Sequence, residues 1–222
     1  MDFIFWKHTT PVGIRVEEVS GDSLPSSKVW IEMAMQIFCE HGPDSYREIL
    51  HSATGVPVIR GLEARISITH TPGLVAVAFL PKTPEADLFK FDTRTAMGID
   101  AEKLDRTKVL NVRERFLNPG ELELIPANNL EANIMAWTAK EALLKASLNP
   151  AIDFRNDIII HALPQLDDDP VSTKVPVLGS ASLKIKNDTG ESVYPMELYS
   201  YKSEDFCVTL AFSPKIAKYG KK

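Results

Sequence analysis

The segment from Asn128 to Pro150 constrains the fold more than any other part of the chain. Asn128 can cap a helix, Glu131 three residues on completes a capping-box pattern, and Asn149-Pro150 ends the run. Between these signals Leu130, Ile134, Trp137, Glu141 and Leu144 recur at helical spacing, which predicts one stripe facing a core with an acid interrupting it. Around this helix the sequence offers mostly strands. Residues 65–69 alternate polar and apolar, 74–79 form a continuous apolar strand, and Thr71-Pro72-Gly73 turns between them, which makes the clearest hairpin. Strands are also expected at 3–6, 14–19, 96–102, 158–161, 182–186, 196–201 and 206–212. Further helices are expected at 28–39, 44–51 and 106–116, the last broken by Asn118-Pro119-Gly120, with turn material at 53–57. Strands mixed with a few helices, without regular βαβ alternation, predict an α+β fold. The Pro-containing stretch 81–95 reads as a connector, dividing the chain into 1–95 and 96–222.

Bulk properties narrow the function classes. The chain has 222 residues and a net charge of −5, so a general nucleic-acid binder, which needs a basic surface, is not expected. The two cysteines, Cys39 and Cys207, lack metal-ligand spacing and read as reduced core residues. The first residues show no basic region followed by a long apolar stretch, and the run from Leu74 to Leu80 is too short to span a bilayer; a cytoplasmic protein is expected.

The chemistry-bearing residues cluster in the second half. Asp100 and Glu102 lie two apart on an expected strand and therefore share a face, and Gly98 upstream leaves room for a close backbone approach. Oxygen ligands of this kind suit Mg²⁺, although a solvated strand end accounts for the pair on spacing alone. Trp137, Lys140, Glu141 and Leu144 form one stripe, with Lys145 one turn beyond Glu141. An acid in such a stripe needs a cation, which a metal at Asp100 and Glu102 would supply; an ordinary Glu141–Lys145 surface pair is the plainer account. His70, between Thr69 and Thr71 and near Gly73, ends a hairpin strand and reads either as part of a phosphate-binding edge or as a turn residue.

Taken in order, Ile68-Thr69-His70-Thr71, Met97-Gly98-Ile99-Asp100-Ala101-Glu102, Arg115-Phe116-Leu117-Asn118-Pro119-Gly120-Glu121 and the run from Trp137 through Lys140-Glu141 to Lys145 resemble the 4′-phosphopantetheinyl transferase superfamily. The length resembles its larger, monomeric type. That resemblance implies two similar α+β halves packed about a pseudo-two-fold, with the active site between them. It also implies transfer of the 4′-phosphopantetheine arm of coenzyme A to a serine of an apo acyl or peptidyl carrier protein. By the same resemblance Asp100, Glu102 and Glu141 would bind Mg²⁺. Lys140 and Lys145 would meet phosphates, Thr69 and His70 would contact the nucleotide's phosphate end, and Glu121 would lie near the reaction centre. Glu141 or Glu121 would serve as base. The family usually shows Gly-Lys-Pro before the hairpin, whereas this chain has Gly55-Val56-Pro57; either Arg47, Arg60 or Arg65 would stand in for the absent lysine or nucleotide affinity would be low. A degenerate member that binds a carrier protein or nucleotide without turnover is the alternative.

Overall fold

The structure is a computed structural model and describes residues 2–7, 10–18, 49–53, 55–60, 64–81, 90–164, 177–187 and 190–213. Eleven strands and three helices lie in these segments. Strands β1 (Asp2–Lys7), β2 (Thr10–Glu18), β5 (Ala64–Thr71) and β6 (Leu74–Pro81) form an antiparallel sheet in the order β1-β2-β6-β5. Strands β7 (Met97–Lys103), β8 (Ile158–Ala162), β9 (Val177–Asn187), β10 (Gly190–Lys202) and β11 (Phe206–Phe212) form a second, in the order β7-β11-β10-β9-β8. The hairpin of β3 (Ile49–His51) and β4 (Pro57–Ile59) stands apart. The helices are α1 (Lys108–Phe116), α2 (Pro119–Leu124) and α3 (Leu130–Ser147). The architecture is mixed α and β, with few helices and no βαβ alternation among the described residues, as the pattern of elements predicts.

Strand β7 organises the interior because its two faces serve different layers. Met97, Ile99 and Ala101 join Leu74, Ala76, Ala78 and Leu80 of β6 and Phe206, Val208, Leu210 and Phe212 of β11 in a core between the sheets. The alternate residues Gly98, Asp100 and Glu102 fall on the other face, where α3 packs. Gly98 is needed there, since a Cβ would stand 2.1 Å from the Ala142 carbonyl oxygen and 2.7 Å from the Ala146 nitrogen. At the seam between the sheets, β5 reaches β7 through side chains. Ser67 Oγ accepts from the Ile99 amide at 3.0 Å, and Thr69 Oγ1 from the Ala101 amide at 3.2 Å.

Several elements differ from the sequence expectation. Residues 49–51 are strand, paired to 57–59 across a turn in which the Ser52 amide reaches the Val56 carbonyl, and so do not end a helix. Asn118-Pro119-Gly120 starts a helix: Asn118 and Glu121 make a full capping box, with proline in the first turn. The cap of α3 is Asn129, whose Oδ1 accepts from the Ala132 amide, while Glu131 pairs with Lys202. The stripe through Leu130, Trp137 and Leu144 is only half-buried. Residues such as Met135, Ala139, Ala142, Leu143 and Ala146 are fully covered, because α3 packs against β7, β11, β8 and α1 and is enclosed around most of its circumference. The expected helix at 28–39 and the remainder of that at 44–51 lie outside the described residues, as does Cys39. No helix among the described residues is long and apolar enough to cross a membrane.

Candidate active site

Asp100 is the centre of the polar cluster. It sits on the helix-facing row of β7, and its Oδ1 accepts from Thr69 Oγ1 at 3.0 Å and from Lys145 Nζ at 2.7 Å. Lys145 Nζ also donates to the Ile99 carbonyl at 3.0 Å, so one ammonium bridges the last turn of α3 to β7. Glu141 stands one turn earlier on α3. Burial raises its pKa, the charge of Asp100 raises it further, and Lys145 and Arg106 oppose the rise. The carboxylates of Asp100 and Glu141 therefore feel each other. Glu102, two residues along β7, forms an ion pair with Arg106. Arg106 in turn lies 5.7 Å from the centroid of Trp137, whose ring meets Phe116 and Phe154 edge-on. This explains why a tryptophan shares the helix stripe of Glu141: it backs the cation that holds Glu102.

The expected site residues thus divide into two groups. Asp100, Glu102, Glu141, Lys145, Thr69 and His70 lie around the junction of β5, β7 and the end of α3. Lys140 and Glu121 are placed against each other in the interior. Lys140 is 0% exposed, its Nζ is 2.8 Å from Glu121 Oε2, and it donates to the carbonyls of Phe154, Arg155 and Ile158. Burial lowers its pKa, with Glu121 acting oppositely. Glu121 also accepts from the Ile160 amide at 2.7 Å and closes the capping box at the Asn118 amide. With these partners, Lys140 fastens α3 to α2 and β8 and presents no ammonium to a phosphate, and Glu121 is not brought to Asp100. Thr69 is likewise engaged within the protein, being 4% exposed and bonded to Asp100 and Ala101.

A cavity of about 510 Å³ adjoins the Asp100 cluster, between the β3–β4 hairpin, β5 and the end of α3. Val56, Ile66, Leu144 and Leu148 give it apolar walls, and Lys145, His70 and Arg65 line it too. None of the described lining residues is acidic. His70 is held below its ordinary pKa, first by desolvation and then by Lys145, with Asp100 opposing. Arg65 is 3% exposed and donates from Nη2 to the Lys145 carbonyl at 2.7 Å. Burial pulls it down to about 10, which leaves it charged at neutral pH. Among the described residues, Arg106 is a participant that the sequence reading does not single out. Its signal was Glu102 four residues earlier, a spacing whose meaning depends on where the strand ends.

Among the described residues no three His, Cys, Asp or Glu side chains converge as a metal site. Of the acids expected to hold Mg²⁺, Asp100 and Glu102 share a face of β7 and are paired with Lys145 and Arg106 respectively, and the charge of Asp100 raises the pKa of Glu141. The family model described as the 4′-phosphopantetheinyl transferase superfamily matches residues 96–190, the span that holds β7, α3 and these acids. No curated protein matches the chain. The chain therefore carries, at residues 96–190, a domain of the 4′-phosphopantetheinyl transferase superfamily.

Proposed function

We propose that the chain transfers the 4′-phosphopantetheine arm of coenzyme A to a serine hydroxyl of an apo acyl or peptidyl carrier protein, as a Mg²⁺-dependent holo-carrier synthase. The observation that carries this reading is the Asp100–Lys145 pair beside a large, mainly apolar cavity whose described lining includes Lys145 and Arg65 and no acid. In this reading 1–95 is the nucleotide side and 96–222 the catalytic side of two similar halves related by a pseudo-two-fold. The protein acts as a cytoplasmic monomer.

The serine oxygen attacks the pyrophosphate phosphorus that bears the pantetheine arm. The bond from that phosphorus to the bridging oxygen breaks, and adenosine 3′,5′-bisphosphate leaves. Asp100, Glu102 and Glu141 would hold Mg²⁺, which would supply charge neutralisation to the pyrophosphate. Lys145, which lines the cavity, would share that task. Glu141 takes the serine proton. His70 lines the cavity for the nucleotide's phosphate end, and Thr69 orients Asp100. Lys140 and Glu121 set the rotation of α3 from its buried side.

An apo carrier protein should gain the phosphopantetheine mass only when coenzyme A and Mg²⁺ are both supplied. Glu141→Gln should abolish that gain while leaving the unfolding midpoint near wild type; a wild-type rate in this variant removes Glu141 from the mechanism. A second reading, binding of a carrier protein or nucleotide without turnover, draws on Asp100 and Glu102 each being engaged by a basic side chain. Coenzyme A binding with no mass gain on any of several carrier proteins would select it.

A further inference from the structure

Arg65 is a buried cation without sufficient partners. Its guanidinium has five N–H donors. Only Nη2 has an acceptor, the Lys145 carbonyl, while Nε and Nη1 are buried and unpartnered. Leaving a charged group in this state is costly, because burial strips its hydration and nothing returns the lost hydrogen bonds. A methionine would fill the same volume beside Ile66 without that cost. Arg65 is, however, among the residues that line the cavity, together with Lys145 and His70, and no described lining residue carries a compensating negative charge. A cation left unpaired against an acid-free cavity is a site for an anion that arrives with the ligand.

We propose that Arg65 is the anion anchor of this cavity, binding a phosphate group of coenzyme A from the β5 wall while Lys145 faces the reacting end. The inference rests on the transferase reading above. It assigns to β5 a binding role separate from the Asp100 cluster, and it makes nucleotide affinity depend on a residue outside the span matched by the family model. The bond to the Lys145 carbonyl gives it a second consequence, since ligand seated on Arg65 is tied directly to the end of α3.

The test is calorimetric titration of the full chain with coenzyme A in Mg²⁺ buffer, without carrier protein, for wild type, Arg65→Met and Arg65→Lys. Arg65→Met should weaken binding roughly 10- to 100-fold, the range for loss of a charge-assisted hydrogen bond. Its unliganded melting temperature should be unchanged or higher, since a strained buried charge is gone. Arg65→Lys should recover part of the affinity. Dephospho-coenzyme A separates the two sources of phosphate: a penalty that vanishes with it assigns the 3′-phosphate, and one that persists assigns the pyrophosphate. Wild-type affinity in Arg65→Met overturns the proposal. So does a lowered melting temperature with affinity lost equally in the Met and Lys variants, which would make Arg65 only a support for the end of α3. If Arg65→Met does not fold, the Lys variant decides, with partial affinity supporting the anchor and complete loss overturning it. Failure of the wild type to bind coenzyme A would remove the transferase reading itself, an outcome distinct from either.

Discussion

Gly98→Ala offers the sharpest test of how the site is assembled. The added Cβ would lie 2.1 Å from the Ala142 carbonyl oxygen, 2.7 Å from the Ala146 nitrogen and 2.9 Å from Lys145 Cβ. The first of these is about 1.3 Å short of the 3.4 Å at which ordinary contact begins, and backbone cannot rotate away as a side chain can. Helix α3 must therefore move off β7 by on the order of 1 Å, carrying Glu141 and Lys145 away from Asp100. Overpacking of this kind costs about 1–3 kcal/mol. In a chain of this size that corresponds to a fall of roughly 2–12 °C in melting temperature. A displacement near 1 Å at a reacting centre costs about 100-fold in rate. Thermal unfolding followed by circular dichroism and the carrier mass-shift assay measure the two effects. Gly120→Ala is the control: its Cβ meets nothing nearer than Asn118 Oδ1 at 3.5 Å, inside a helix, and it should stabilise by about 0.5–1 kcal/mol. A Gly98→Ala protein that melts and turns over like wild type would refute the close β7–α3 contact as the device that sets Lys145 against Asp100.

Other expectations follow from single contacts. Lys140→Met strands Glu121 as a buried, unpaired acid and should cost about 3–5 kcal/mol in urea denaturation, with the Lys140→Met/Glu121→Gln double variant losing less than the two singles together. Thr69→Val keeps the shape but removes the hydroxyl that donates to Asp100 and accepts from Ala101. It should cost about 1–3 kcal/mol and slow transfer, and Thr69→Ser should restore both. The Cys207 thiol is buried and pushed up from 9.0 to about 11. Because the native state holds this proton more tightly, its contribution is intact below pH 9 and is lost as pH rises from 9 toward 11. Urea midpoints at pH 8 and pH 10 should differ less in Cys207→Ala than in wild type, and a thiol reagent at pH 8 should label Cys207 only on unfolding.

Local signals were legible wherever they were self-contained. The run 206–212 is β11, the hairpin turns at Pro72-Gly73, and Gly98 does admit a backbone at close range. Asp100 and Glu102 fall on one face of β7 because strand alternation needs no tertiary information. What escaped depends on distant partners. Glu131 matched a capping box, yet Lys202 claims it from β10, and Asn129 takes over the cap. Asn118 and Glu121 carried the same box signature but sat at a proline and glycine that read as a break. Lys140 and Glu141 are neighbours in sequence and differ by about 100° around the helix. One enters the interior toward Glu121 and the other faces Asp100, a division that only the positions of α2 and β7 could decide.

The sheet order has a consequence for synthesis. Among the described strands β7 pairs in its sheet with β11 alone, so the strand that carries Asp100 and Glu102 waits for residues roughly 100 positions downstream before it gains that ladder partner. At translation rates of about 5–20 residues per second that is on the order of 5–20 s on the ribosome with an open edge. Met97, Ile99 and Ala101 make one side of that strand apolar and prone to mispairing, and Asp100 and Glu102 supply the charges that discourage it. The two acids proposed to hold the metal would thus also guard the nascent chain, so their neutral replacements should lower the yield of folded protein during expression.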